Sequence, residues 1–237
     1  MNNHNKMRIY VVSCSEERQQ RLKSASKCLN LDLEVVSSPW STEEEVQRRG
    51  KECFENNTAY PTGFAATLGH IRAMKVFIET GSKYCMIVED DVRFHKQFND
   101  IIPKLEEYMD KSNFDIFTLG FVNFPNRNYA SNVVIVYNQV VLENVTISNP
   151  FGCQCYMISR DYAKKVVELL SVDNIYEVYK KNFVTDYVFY DTDLCRRCTL
   201  QNPIVVEDPN EQTLAGNNNK PNLFKYLNKD DYYFNIE

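Results

Sequence analysis

Three adjacent carboxylates, Glu89, Asp90 and Asp91, directly follow the apolar run Cys85 to Val88, and they are the residues most suited to chemistry. Such a run is typical of an inner strand that is buried on both faces. Because side chains alternate along a strand, we expect Glu89 and Asp91 to share one face and Asp90 to lie on the other. Ligands of open α/β sheets bind outside the carboxyl ends of the strands, where carboxylate oxygens suit Mg²⁺ or Mn²⁺. The pattern therefore predicts a divalent cation that bridges two phosphates.

A solvated acidic turn would explain the same three residues without any chemistry. Neighbouring carboxylates repel one another, however, unless a cation or a basic side chain neutralises them. For that reason we favour the cation site over the solvated turn.

The segments around this motif alternate between strand and helix patterns. Arg8 to Ser13 predicts a first strand, Ser15 a helix N-cap, and the apolar spacing from Leu68 to Ile78 an amphipathic helix before the acidic strand. This alternation predicts an α/β fold with a central mixed, mostly parallel sheet flanked by helices. We expect one domain over residues 1–207 and a C-terminal extension over 208–237 that forms a lid or a wrap.

Composition excludes several classes of function. The 237-residue chain is 43% hydrophobic and 25% charged with a net charge of −5, so it lacks the basic surplus that nucleic-acid binding requires. No run of about 18 apolar residues predicts a membrane span, and the first residues contain no apolar signal region. We therefore expect a cytoplasmic protein with no transmembrane segment, no nucleic-acid partner and reduced cysteines.

Four cysteines allow a zinc hypothesis. Cys153 and Cys155 would have to meet Cys195 and Cys198 to form a four-thiolate site. The Cys-x-Cys spacing is a poor zinc knuckle, and the second pair is predicted to lie within a helix, so this site is not favoured.

Four segments of the chain can be compared with known families: RIYVVSCSEERQQRL, TGFAATLGHIRAMKVFIETGSKYCMIVEDDVRF, FDIFTLG and CYMISRDYAKKVVELL. The most specific of them contains the helix with His70 and the strand that ends in Glu-Asp-Asp-Val. Together the four segments resemble glycosyltransferase family 25, the lipooligosaccharide and collagen β-galactosyltransferase group, whose members have the GT-A fold.

The resemblance implies a site as well as a fold. It implies that Asp91, the last acid of the trio, is the principal metal ligand, with Glu89 or Asp90 assisting. Many GT-A enzymes use a late histidine as a further ligand, but the histidines here all fall in the first half of the chain. A later metal contact would therefore come from a carboxylate or amide, such as Asp208, or from water. The chain also has Ser13-Cys14-Ser15 where the family usually has Asn-Leu-Asp, and Gly69 where the family has a serine.

Further side chains are candidates for the remaining roles. Asp186 is the favoured catalytic base, since Thr185 could cap a helix and place this carboxylate in its first turn. Asp191 and Asp193 are rivals for that role. Arg18 could contact the phosphates of the nucleotide, and His70 could reach the donor.

These observations predict a glycosyltransferase that uses Mn²⁺ or Mg²⁺. The expected donor is a nucleotide-diphosphate sugar, with UDP as the nucleotide and with galactose or glucose as the sugar that the resemblance implies. The expected acceptor is a saccharide or glycan hydroxyl, and the reaction is expected to invert the anomeric carbon. Two alternatives stay open: a noncatalytic nucleotide-sugar- or glycan-binding relative, and a nucleotidyltransferase that uses the same acids.

Overall fold

The computed structural model describes residues 7–39, 42–44, 46–48, 60–121, 125, 127–145, 152–170, 189, 195–208, 227 and 229–232. The longer α-helices in these ranges are α1 (Glu16–Cys28), α2 (Tyr60–Glu79), α3 (Phe98–Ser112) and α4 (Arg160–Leu169). The strands are β1 (Arg8–Ser13), β2 (Leu33–Ser37), β3 (Tyr84–Glu89), β4 (Val92–Phe94), β5 (Ile116–Gly120), β6 (Asn132–Val136), β7 (Gln139–Glu143), β8 (Cys155–Ser159), β9 (Arg197–Leu200) and β10 (Val205–Glu207).

Eight of the described strands form one mixed sheet in the order β2-β1-β3-β8-β5-β9-β7-β6, and β4 pairs with β10 in a separate small sheet. Strands β7 and β8 run against the other strands of the large sheet, which are parallel to one another. The predicted α/β architecture, with a mixed and mostly parallel central sheet flanked by helices, is confirmed.

The alternation of apolar side chains along the inner strands produces two cores. In β1, Tyr10 and Val12 pack with α2 and α4, whereas Ile9 and Val11 pack on the opposite face with α1 and α3. Successive side chains of a strand point to opposite faces, so one apolar strand supplies both cores. The sheet is therefore covered by helices on both faces, as its apolar inner strands require.

Strands β6 and β7 form an antiparallel hairpin, and its two-residue loop places Tyr137 and Asn138 at positive φ, as a type I′ turn demands. The helix predicted around Cys195 and Cys198 is wrong, because Arg197–Leu200 forms strand β9 between β5 and β7. The fully buried inner position of this strand decides its structure.

The described part of the C-terminal segment contacts the small sheet. Tyr232 forms an isolated bridge with His95, and the Lys96 N–H donates to the Asp231 carbonyl at 2.8 Å. The division into residues 1–207 and 208–237 stays a prediction, since most of the second range lies outside the described residues.

None of the helices described above is both long and apolar enough to cross a membrane.

Gly69 marks a close approach of α2 to the sheet. A Cβ at this position would lie 2.5 Å from Val12 Cγ1 and 2.6 Å from Ser38 Oγ. The space that a serine would need here is therefore already filled, which gives a physical reason for the departure from the family pattern at this residue.

We expect Gly69→Ala to destabilise the fold by about 1–3 kcal/mol, since overpacking outweighs the better helix propensity of alanine. Urea unfolding followed by circular dichroism measures this loss. Lys75→Ala, at an exposed position of the same helix, should change stability by less than about 0.5 kcal/mol. Equal stability of Gly69→Ala and the parent would contradict the close packing of α2 on β1.

Candidate active site

The acidic trio is divided between the two faces of the sheet. Strand β3 ends at Glu89, and Asp90 and Asp91 form a turn before β4. Both aspartates face Arg18 of α1, whereas Glu89 lies near His70 of α2. The expectation that Glu89 and Asp91 share a face is wrong, because the two-residue period of a strand does not continue through the turn.

Arg18 neutralises both aspartates of the turn. Its Nη1 lies 3.1 Å from Asp90 Oδ1 and 3.5 Å from Asp91 Oδ2, and all three side chains are close to nine-tenths buried. The Ser13 hydroxyl donates to Asp90 Oδ2 at 2.6 Å. These contacts join the end of β1, the start of α1 and the end of β3 through charge-assisted hydrogen bonds, which are stronger than neutral ones.

The sequence places Arg18 there through the N-terminus of α1. Ser15 caps the helix, and its hydroxyl accepts the Arg18 N–H. Since Ser15 follows β1 by two residues, the first turn of α1 lies beside the carboxyl end of that strand. The Arg18 side chain therefore reaches the neighbouring strand end, where Asp90 lies.

Arg93 and Asp208 form a second buried ion pair. Arg93 Nη2 lies 2.5 Å from Asp208 Oδ2, and the two side chains are 8% and 1% exposed. The Asp208 N–H also donates to the Asp91 carbonyl at 2.7 Å. Asp208 thus fixes the backbone of the acidic turn, and its carboxylate is already bound to an arginine. Its predicted role as a metal ligand stays a prediction.

Arg21 belongs to the same group of charges. Burial lowers the pKa of its guanidinium, and the positive charge of Arg93 lowers it further. The negative charges of Asp208 and Asp90 oppose this shift. We call Arg18, Arg21, Arg93, Asp90, Asp91 and Asp208 the arginine–aspartate cluster; the formal charges of these six side chains cancel.

His70 lies on the other side of β3 and is fully buried. Its Nδ1 is 3.0 Å from the Tyr156 hydroxyl, and its Nε2 is 3.4 Å from Glu89 Oε1. Burial raises the pKa of Tyr156 well above its usual value, so the phenol keeps its proton. A direct contact of His70 with a donor remains a prediction.

The three carboxylates predicted as catalytic bases lie outside the described residues, so their roles stay predictions. They are Asp186, Asp191 and Asp193.

Arg93 was not predicted as a site residue, although a charged residue between the apolar Val92 and Phe94 indicates a buried charge. Its partner could not be identified from the sequence, because Asp208 lies 115 residues further along the chain.

The zinc hypothesis gains no support. The described cysteines include Cys153, Cys155, Cys195 and Cys198, which are buried free thiols. Burial raises the pKa of Cys155 and Cys198 well above the usual value, which opposes the thiolate form that zinc requires. Within the ranges that the structure describes, no group of three or more His, Cys, Asp or Glu residues is arranged to hold a metal ion.

Fold and site together define an α/β protein with a buried, charged site at the carboxyl ends of its central parallel strands. The family model described as "Glycosyltransferase family 25 (LPS biosynthesis protein)" matches residues 7–179. The chain belongs to glycosyltransferase family 25, and it is therefore a glycosyltransferase. A comparison with curated protein sequences gave no significant match.

Solved structures that resemble the chain share little sequence with it. A glycosyltransferase involved in the glycosylation of the major capsid of PBCV-1 is 9% identical with a TM-score of 0.37, over 87% of this chain and 94% of that chain. An apo UDP-glucose pyrophosphorylase is 7% identical with a TM-score of 0.43, over 83% and 90%. The inositol-1-phosphate CTP transferase from T. maritima is 14% identical with a TM-score of 0.37, over 91% and 92%. Likeness at this level does not bear on substrate or mechanism.

We expect Asp208→Ala to destabilise the protein by about 3–5 kcal/mol, because it leaves the buried charge of Arg93 without its partner. The double variant Arg93→Met/Asp208→Leu should lose less, since it removes both charges. Urea unfolding compares the two variants with the parent. A stable Asp208→Ala protein that has lost only its response to Mn²⁺ would instead identify Asp208 as a metal ligand.

Proposed function

We propose that this glycosyltransferase moves a hexose from a nucleotide-diphosphate sugar to a hydroxyl of a saccharide or glycan. The observation that supports the proposal is the arginine–aspartate cluster, which brings buried carboxylates and arginines together where β1, β3 and β10 end. The proposed donor is a UDP-sugar with galactose or glucose, and the proposed reaction inverts the anomeric centre.

The arginines of the cluster suit the leaving group of this reaction. Breaking the bond to the sugar leaves negative charge on the diphosphate, and that charge must be stabilised in the transition state. A guanidinium offers several donors in a fixed planar arrangement that matches phosphate oxygens. Arg18, at the carboxyl end of β1, is the arginine that we assign to the diphosphate.

The carboxylates of the acidic turn fit a divalent cation. Asp90 and Asp91 supply adjacent hard oxygen ligands, and Mg²⁺ in nucleotide sites commonly uses one or two carboxylates together with substrate phosphates. Such a site needs no cage of three protein ligands. A bound Mn²⁺ or Mg²⁺ would supply charge stabilisation for the departing diphosphate. Asp91 is the residue that we expect to hold it.

The acceptor hydroxyl needs a base, and the proposed residue is Asp186, with Asp191 and Asp193 as rivals. Direct attack by the deprotonated hydroxyl on the anomeric carbon gives inversion of configuration. The proposed location is the cytoplasm, where reduced thiols such as the buried Cys85 and Cys155 persist.

A thermal-shift screen tests the donor and the cation together. A ligand that binds only the folded protein raises its melting temperature, so UDP-galactose or UDP-glucose with Mn²⁺ should stabilise the parent. We expect Asp91→Asn to lose the Mn²⁺-dependent part of this shift, because the neutral amide binds the cation weakly. Asp100→Asn, on the exposed first turn of α3, is the matched control and should behave like the parent. An Asp91→Asn protein that responds like the parent would remove Asp91 from the metal site.

The affinities of an Arg18 variant for Mn²⁺ and for UDP test the proposed role of this arginine without a measurement of turnover. Because its guanidinium already neutralises Asp90 and Asp91, it competes with a cation for the same carboxylates. We expect Arg18→Gln to bind Mn²⁺ alone about tenfold more tightly, equivalent to about 1.4 kcal/mol, and to bind UDP more weakly. Titration calorimetry measures both affinities, and the exposed Arg8→Gln is the control. Weaker Mn²⁺ binding by Arg18→Gln would contradict the shared use of these carboxylates.

A further inference from the structure

A second polar group lies on the α2 side of the sheet, across β3 from the arginine–aspartate cluster. Its members are Glu89 at the end of β3, Gln154 immediately before β8, His70 and Tyr156. The β3–β8 pairing of Val88 with Cys155 continues to Glu89, whose N–H donates to the Gln154 carbonyl at 3.0 Å. Directly opposed residues of an antiparallel pair point to the same face, so the Glu89 and Gln154 side chains are neighbours.

The Gln154 side chain has an unusual environment. The residue is only 7% exposed, and its Oε1 has no hydrogen-bond partner in the part of the chain that the structure describes. Leaving a buried acceptor without a donor costs about 1–3 kcal/mol, so natural proteins rarely retain one without a reason. A ligand that brings a hydrogen-bond donor to this position supplies such a reason.

Glu89 lies beside this acceptor in a fixed orientation. The His70 ring lies between two polar groups, with Nδ1 3.0 Å from the Tyr156 hydroxyl and Nε2 3.4 Å from Glu89 Oε1, so the imidazole holds one side of the carboxylate. The Glu89 side chain is 29% exposed and can therefore meet a ligand from solvent. His70 is fully buried and acts on that ligand only through Glu89.

We propose that Glu89 and Gln154 form a subsite for sugar hydroxyls, with His70 as the positioning residue for Glu89. Hydroxyl groups donate hydrogen bonds, and a carboxylate next to an amide oxygen offers two acceptors for adjacent hydroxyls of one ring. The arginine–aspartate cluster takes the charged diphosphate on one side of β3, and this subsite takes the uncharged ring on the other. The inference rests on the proposed use of a nucleotide sugar.

The test replaces Gln154 with methionine, which has a similar length but no acceptor oxygen. Removing an unsatisfied buried amide should leave the melting temperature equal to that of the parent or raise it, so lost function cannot reflect lost folding. Gln139→Met, on β7 near the far edge of the sheet, is the matched control. Calorimetry with UDP, UDP-galactose and UDP-glucose in the presence of Mn²⁺ measures binding, and transfer to free lactose or methyl β-galactoside measures KM for the acceptor.

Two results support the subsite and distinguish the sugar that it binds. A tenfold or larger loss of affinity for the UDP-hexose with unchanged affinity for UDP assigns the hydroxyl to the donor. A tenfold or larger rise in KM for the saccharide with unchanged donor affinity assigns it to the acceptor. Parent-like values for every ligand overturn the subsite while the proposed function stands. A parent protein that binds none of the nucleotides and transfers no sugar overturns the proposed function itself.

Discussion

The buried ion pair between Arg18 and the acidic turn at Asp90 and Asp91 constrains the whole carboxyl end of the sheet. Removing charges from water is costly, and a buried charge is tolerated only when partners and hydrogen bonds compensate it. Here the compensation comes from α1, from the Ser13 hydroxyl of β1 and from the end of β3. The position of α1 on the sheet and the shape of the turn are therefore set by the same contacts.

The second ion pair extends this constraint to the small sheet. Arg93 belongs to β4, and Asp208 immediately follows β10, so their contact joins the two strands of that sheet at the same end as the acidic turn. The guanidinium of Arg21 interacts electrostatically with charges of both pairs. Because the pairs share one low-dielectric region, a change in any of these charges alters the energy of the others. The cluster thus behaves as one electrostatic unit.

Periodicity in the sequence predicted the fold class, but it missed strand β9 and did not predict which face of the sheet each site residue occupies. The run from Cys85 to Val88 predicted a buried strand ending in acids, and that strand is β3. Strand periodicity could not reveal that β3 ends at Glu89, so it placed Asp91 on the wrong side of the sheet. Arg93 and Asp208 are far apart in the chain, and the unsatisfied oxygen of Gln154 depends on the β3–β8 register, so neither feature was visible without the tertiary structure.

The charge balance of the arginine–aspartate cluster links binding of the proposed donor to binding of the proposed cation. A nucleotide diphosphate that enters alone adds uncompensated negative charge to a buried group whose formal charges already cancel. A divalent cation that enters alone adds uncompensated positive charge beside Arg18. When both enter, their charges offset each other, so each ligand lowers the electrostatic cost of binding the other. Because coupling between two ligands is reciprocal, the factor by which the cation strengthens donor binding equals the factor by which the donor strengthens cation binding. Under the proposed function, the arrangement of Arg18, Asp90 and Asp91 therefore favours entry of the donor as its metal complex, so the proposed cation would act in the binding step as well as in the chemistry.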